Sequence, residues 1–230
     1  MDLVGKIQIK INLLVSPFIG RIMRPLYRYR YLSAPSTYEY IFIDPEEVKY
    51  WYGRMPHREI VFEGQIKSGD WSSNLRDAKD VFERSNKLNG IIQHFVDEVP
   101  WNETSYLKKY ENTISDKNKV ETTFEKACIK TEKLYSEIKQ NGFKTSSECA
   151  NIKDIFVHIY KNGEIVYTAD GNHRLAIAKS LGLKKIPVRV YRRHSDWMEI
   201  RDRYFKNPYD SIFDIKKMRN HPDLISLKCI

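Results

Sequence analysis

The chain has 230 residues, with 39 Lys and Arg against 30 Asp and Glu and a formal charge of +9. That length buries a sizeable core, as one domain or as one domain with a large insertion, and 15 tyrosines with 4 tryptophans exclude a disordered composition. The positive surplus favours polyanionic partners, namely nucleotides, nucleic acid or anionic lipid headgroups, and does not choose among them.

Residues 1–35 read as a basic amphipathic N-terminal extension. Leu3, Val4, Ile7, Ile11, Leu14, Val15, Phe18 and Ile22 recur at helical spacing, and Lys6, Lys10, Arg21, Arg24 and Arg28 fall mostly on another face. Pro17 argues for a break and a second short helix, which Pro25 ends. Tyr27 to Tyr31 then alternate aromatic and basic residues. Such a segment suits the plane of an anionic membrane surface. An ordinary helix packed on the domain, and a stacking surface for single-stranded nucleic acid, are the alternatives. Lys6 and Lys10 interrupt the apolar stretch and no small-residue cleavage site follows, so a secretory signal is not expected.

Tyr40 to Asp44 read as a first strand. The region from about 49 to 131 reads as a helical insertion, with a helix over Ser85 to Val96, a break at Pro100-Trp101, and a short helix over Thr104 to Tyr110. Ile60 to Glu63 form an extended segment ending at Gly64. Trp71 and Trp101 stand in loops, where a tryptophan stacks on a base or a sugar or, more often, anchors the loop to the core. A long helix is predicted over Lys119 to Gln140, with Phe124, Cys128, Leu134, Tyr135 and Ile138 inward. Cys128, Cys149 and Cys229 are an odd number without metal-ligand spacing, which predicts a reducing, cytoplasmic setting and no metal site in the chain itself. No run of about eighteen apolar residues predicts a transmembrane helix.

The most informative stretch is Asp170-Gly171-Asn172-His173-Arg174. Ile155 to Tyr160 read as a strand, Asn162-Gly163 as a hairpin turn, and Ile165 to Ala169 as the return strand. An amphipathic helix beginning around Leu175 follows, with Gly182 at its exit, then a strand over Lys184 to Tyr191. The turn therefore opens a helix whose free N–H groups and positive dipole end favour an anion. The plainer alternative is that Asp170 caps the helix, His173 sits neutral against the sheet and Arg174 pairs with a carboxylate.

The unit from Leu134 to Tyr191, about a quarter of the chain, resembles the ParB/sulfiredoxin superfamily in its order of helix, strand hairpin, Asp-Gly-x-x-Arg turn, Ala-rich helix and Ile-Pro-Val strand. His173 and Arg174 are similar to the phosphate-contacting pair of sulfiredoxins, and Asp170 to Arg174 resemble the Asp-Gly-His-x-Arg turn of free serine kinases. The resemblance implies an α/β (α+β) core, a small mixed sheet with flanking helices, over residues 36–200, followed by a helical tail over 201–230. It also implies a nucleotide, ATP or another, with Mg²⁺, at Gly171, Asn172, His173 and Arg174. Asn172 stands where sulfiredoxins carry their cysteine, so sulfinic acid repair is not expected.

Within that resemblance Arg174 is the candidate for a bidentate phosphate contact, because its planar fork matches two phosphate oxygens. Asp170 is the candidate catalytic carboxylate, binding Mg²⁺ or accepting a proton. Glu46, Glu47 and Asp70 are further candidates for a base. The implied activity is a nucleotide-dependent phosphotransferase, a kinase, acting on a small or membrane-linked hydroxyl acceptor. The alternatives are a ParB-like nucleotide-binding switch or NTP hydrolase, and a DNA-binding or nuclease-like protein. The basic residues are spread along the chain, which counts mildly against the last.

Overall fold

The computed structural model describes residues 3–36, 39–52, 61–149, 152–168, 170–215 and 218–229. In chain order the elements are α1 (Leu3–Arg30), β1 (Tyr40–Ile43), β2 (Tyr50–Tyr52), β3 (Gln65–Lys67), β4 (Leu75–Asp77), α2 (Ala78–Arg84), α3 (Asn86–Phe95), α4 (Ser105–Glu111), α5 (Lys117–Asn141), β5 (Phe156–Ile159), β6 (Ile165–Tyr167), α6 (Asn172–Ser180), β7 (Ile186–His194), α7 (Ser195–Lys206), α8 (Ile212–Ile215) and α9 (Pro222–Ile225), with short 3₁₀ turns between some of them. The fold is mixed α/β, of the α+β kind, built on a seven-stranded sheet.

The sheet is organised by β7, whose odd and even residues must serve two buried faces. One edge of β7 pairs with β5 in parallel. The other pairs with β1 antiparallel at its start, Ile43 opposite Ile186, and with β3 in parallel at its end, Lys67 opposite His194. The β5–β6 hairpin extends the sheet, and β2 and β4 complete it. Ile186, Val188 and Val190 join Val157, Ile159, Ile165 and Tyr167 in the main core. A register shift between β5 and β7, at Val157/His158, then changes the alternation. Arg193 consequently reaches Asp223 on the main-core side, while Arg192 lies over Trp71 on the other.

The hairpin turn and the helix exit follow their glycines. Gly163 has φ +89° and Gly182 has φ +64°, a region that L side chains rarely adopt. The long helix α5 buries Phe124, Cys128 and Ile138 as its periodicity predicts. Ser85 caps α3 by accepting from Leu88 N, and Thr104 caps α4 by accepting from Tyr106 N. Gly90 lets α3 approach α4 at backbone distance, because a Cβ there would lie 2.6 Å from the Tyr106 Cβ.

Several expectations need correction. The insertion is less purely helical than its apolar pattern suggests, since β2, β3 and β4 all belong to the one sheet. The pairing partners of such three-residue strands come from distant sequence, and so leave little local signal. Helix α6 is buried at Arg174, Leu175, Ala176, Ile177 and Ala178, so it is a core helix rather than an amphipathic one. Helix α1 runs through both Pro17 and Pro25. Each proline removes one backbone bond. Around Pro25, which is exposed, Gly20 and Tyr27 both rest on Phe62 and hold the two sides in line. The side chains of Leu3, Val4, Lys6, Ile7, Lys10 and Ile11 lie outside the described residues, as do Ile60 and Ala169. Trp71 is buried, and Trp101 is half-buried against His94 at 3.9 Å between ring centroids, so both anchor loops.

The C-terminal tail is tied to the sheet by buried charge. Arg193 and Arg201 both pair with Glu39 and with Asp223, and Trp197 Nε1 donates to Asp223 at 2.8 Å. Arg201 also donates to Ser33 O, and Asp202 accepts from the Ser33 and Leu32 amides. Removing one partner of a buried pair leaves uncompensated charge. Asp223→Asn is therefore expected to cost about 3 kcal/mol or more. Urea unfolding checks this through a lower midpoint at unchanged slope.

Candidate anion site at the start of a buried helix

Thr168 fixes the approach to the turn by donating from both its amide and its hydroxyl to Phe156 O, at 3.2 and 2.9 Å. Gly171 then adopts φ +82°, ψ +25° as the N-cap of α6. A Cβ there would stand 2.9 Å from Ile155 Cγ1, so glycine is required both by the turn and by the close approach to β5. No side chain caps the helix at Gly171. Glycine has no side chain to offer, and among the described residues no other side chain bonds to the first amides of α6.

The five residues of the turn go to different places. Asp170 is exposed, and partial desolvation at the turn raises its carboxyl although Lys153 works the other way. Asn172 Oδ1 accepts from the Tyr167 hydroxyl at 2.7 Å. His173 Nε2 lies 3.0 Å from the Tyr106 hydroxyl, which in turn receives the Tyr110 hydroxyl proton at 3.3 Å. The Tyr106 hydroxyl also lies 3.5 Å from Thr131 Oγ1, whose own proton goes to Ala127 O.

Arg174 does not face the free helix end. It is 6% exposed, donates to Lys153 O at 3.1 Å and to Lys144 O, and stacks on Phe143 with its guanidinium carbon 3.9 Å from the ring centre. Burial lowers its pKa to about 10, against the nearby charge of Asp154. The bidentate phosphate contact expected of Arg174 is therefore reassigned: its planar fork is spent on two backbone carbonyls of the loop between α5 and β5. Asp154 beside it is buried. Burial would raise its carboxyl, but Ser146, Tyr40 and Arg189 all bond to it and hold it below the usual range. Arg189 passes the charge on to Glu63.

The other side of the turn gathers cations that sequence reasoning did not find. Lys87 from α3, Lys109 from α4 and Lys130 from α5 all act on His173 and, after burial itself, push its pKa down to about 4. Lys87 is half-buried, and burial together with Lys109 lowers it to about 8. Burial also lowers Lys109, whose ammonium lies 4.0 Å from the centre of the Tyr110 ring. Among the described residues, none of the three lysines has a carboxylate within 4.0 Å (Lys109 makes only ring contacts). No local sequence pattern marks them, because they come from three helices that converge only in the fold. Together with the start of α6 they make this end of the helix a candidate site for an anion.

The other carboxylates considered as bases lie elsewhere. Glu46 pairs with Lys179 at 2.9 Å, in the last turn of α6, about 10 Å or more along the helix from the anion site. It borders a cleft of about 680 Å³ shared with Lys49, Asp77, Phe82 and Glu83. That cleft is lined by both charge signs, and it is remote from the turn. Asp70 accepts from Tyr160 at 2.6 Å and from Ser72 N, and these bonds hold its carboxyl low while fixing the Trp71 loop. Among the described residues, no three His, Cys, Asp or Glu side chains converge to hold a metal.

Comparison with family models, with curated proteins and with solved structures finds no match to this chain.

Two outcomes test the assignment of these side chains. Arg174→Ala is expected to lower stability by about 2–4 kcal/mol, since it leaves two carbonyls unpaired and Phe143 unstacked; an unchanged urea midpoint would remove the structural role. His173 is held neutral in the folded chain, so its contribution is full above its unfolded pKa of about 6.5 and is lost as pH falls towards about 4. His173→Gln is expected to flatten that part of the stability profile between pH 6.5 and pH 4.

Proposed function

We propose that the protein binds the phosphate chain of a nucleotide at the start of α6 and transfers a phosphoryl group to a hydroxyl acceptor. The observation that carries the proposal is the start of α6 at Gly171 beside His173, whose ring lies 3.0 Å from the Tyr106 hydroxyl while the Lys109 ammonium lies 5.8 Å from the centre of the Tyr106 ring; Lys87 and Lys130 add positive charge that disfavours a protonated His173. The resemblance of Asp170 to Arg174 to the turn of the free serine kinases supports the choice of a nucleotide over other polyanions. In this reading the contact set is Lys87, Lys109, Lys130, His173 and the free amides of Asn172 and His173, with Arg174 bracing the turn from behind.

Each group has a task that its surroundings suit. The lysines neutralise phosphate charge, which is the larger part of catalysis in phosphoryl transfer. His173 offers a ring nitrogen to an oxygen of the bound anion. Asp170, raised by desolvation, is the group at the turn able to accept the acceptor's hydroxyl proton. ATP supplies the transferable phosphoryl group when bound, and Mg²⁺ accompanies it. We favour an acceptor presented at a membrane surface, reached from the cytoplasmic side, since the basic helix α1 belongs to the same chain and no described helix is long and apolar enough to cross a bilayer.

Calorimetric titration with ATP, ADP and CTP in the presence of Mg²⁺ tests the proposal. Lys87→Ala and Lys109→Ala are each expected to weaken binding about tenfold, or about 1.4 kcal/mol. Wild-type affinity in both variants would overturn the site. The pH dependence has a definite sign. An anion favours the protonated forms of His173 and Lys87, whose pKa values the fold lowers to about 4 and about 8. Binding therefore takes up protons, and affinity falls as pH rises through about 8. Asp170→Asn is expected to keep nucleotide affinity within about twofold while abolishing acceptor-dependent turnover.

A further inference from the structure

Helix α1 has two apolar sides, and only one of them is used by the fold. Its inner side rests on the body: Gly20 meets Phe62, the Tyr27 ring stacks on Phe62 at 6.4 Å, and the Tyr27 hydroxyl donates to Ile66 O. Its outer side carries Leu14, Phe18, Ile22 and Leu26, exposed at 71, 66, 67 and 57%. These are spaced four apart, so they form one row that drifts about 40° per step around the helix. Tyr29, at 95% exposure, falls in the same sector. Four large apolar side chains in a continuous row are more than chance exposure supplies.

We infer that this outer row of α1 lies in the interface of an anionic membrane, with the helix axis parallel to the surface. Charge decides the occupant. The helix sequence has six cations, Lys6, Lys10, Arg21, Arg24, Arg28 and Arg30, and no carboxylate. Arg21 and Arg28 are exposed on one flank of the apolar row and Arg30 on the other. A second copy of the chain docked row to row would set six cations against six. Anionic lipid headgroups neutralise the same charges while the acyl boundary takes the apolar row. The inference concerns where the protein sits and stands apart from whether α6 binds nucleotide.

Co-sedimentation with phosphatidylcholine vesicles, with and without phosphatidylserine, tests it on the full chain. Binding is expected only with phosphatidylserine. Phe18→Ser with Ile22→Ser, which alters exposed positions and leaves the charge unchanged, is expected to reduce binding more than about tenfold, as is Arg21→Gln with Arg28→Gln. Nucleotide titration of the same variants is expected to match the parent, so a failure of one idea is read separately from a failure of the other. Parent-like sedimentation of the serine variant overturns the inference, because the attraction is then that of any polyanion for a basic chain. A lipid-free dimer that the serine variant converts to monomer also overturns it, in favour of a second copy.

Discussion

The pairing of Arg193 and Arg201 with Asp223 and Glu39 is the constraint on which the rest of the architecture depends. Two guanidinium groups and two carboxylates balance each other where water is nearly excluded. A buried network of this kind adds little net stability against an apolar replacement, and its value lies in admitting one arrangement. It joins the end of the central strand to α7 and α9, and through Ser33 and Asp202 it fixes the point where α1 leaves the body. The register shift in β7 is part of the same constraint. Without it, Arg193 would point to the Trp71 side and Asp223 would lose a partner.

A second consequence of burial concerns α6. A helix hidden between the sheet and α3 and α5 can offer a ligand only its ends. At its C-terminal end Lys179 is engaged with Glu46. At its N-terminal end Gly171 contributes no cap, and the surrounding helices supply ammonium groups instead of carboxylates. Arg174 and the lysines thus divide two tasks that a sequence motif assigns to one residue. Arg174 secures the loop that ends at Asp154, and Lys109 lies against the rings of Tyr106 and Tyr110.

Much of the scaffold was legible in the sequence because its signals are local. The Asn162-Gly163 hairpin, the glycine exit at Gly182, the helix starts near Ser85 and Thr104, and the periodicity of α5 each arise from residues a few positions apart. The pairing of β2, β3 and β4 was not legible, since three-residue strands take their identity from partners far along the chain. The turn at Gly171 stood out in the sequence as a helix start suited to an anion, and the fold adds a positive φ and a close approach to Ile155 that the sequence did not indicate. Arg174 carries the same chemistry whether it meets phosphate or peptide carbonyls, and nothing in its neighbourhood of sequence distinguishes Lys144 O and Lys153 O from a ligand oxygen. Lys87, Lys109 and Lys130 are ordinary surface residues until three helices bring them together.

The contact between Gly90 and Tyr106 gives that gathering a fixed scale. With backbone against backbone, α3 and α4 have no slack along the line of approach. Lys87 stands one turn before Gly90, and Lys109 one turn after Tyr106, so the roots of the two ammonium groups are held like the jaws of a caliper. For the proposed anion site this would set selectivity by a preset charge spacing, which a ligand either spans or does not, and less by the chain closing around whatever arrives.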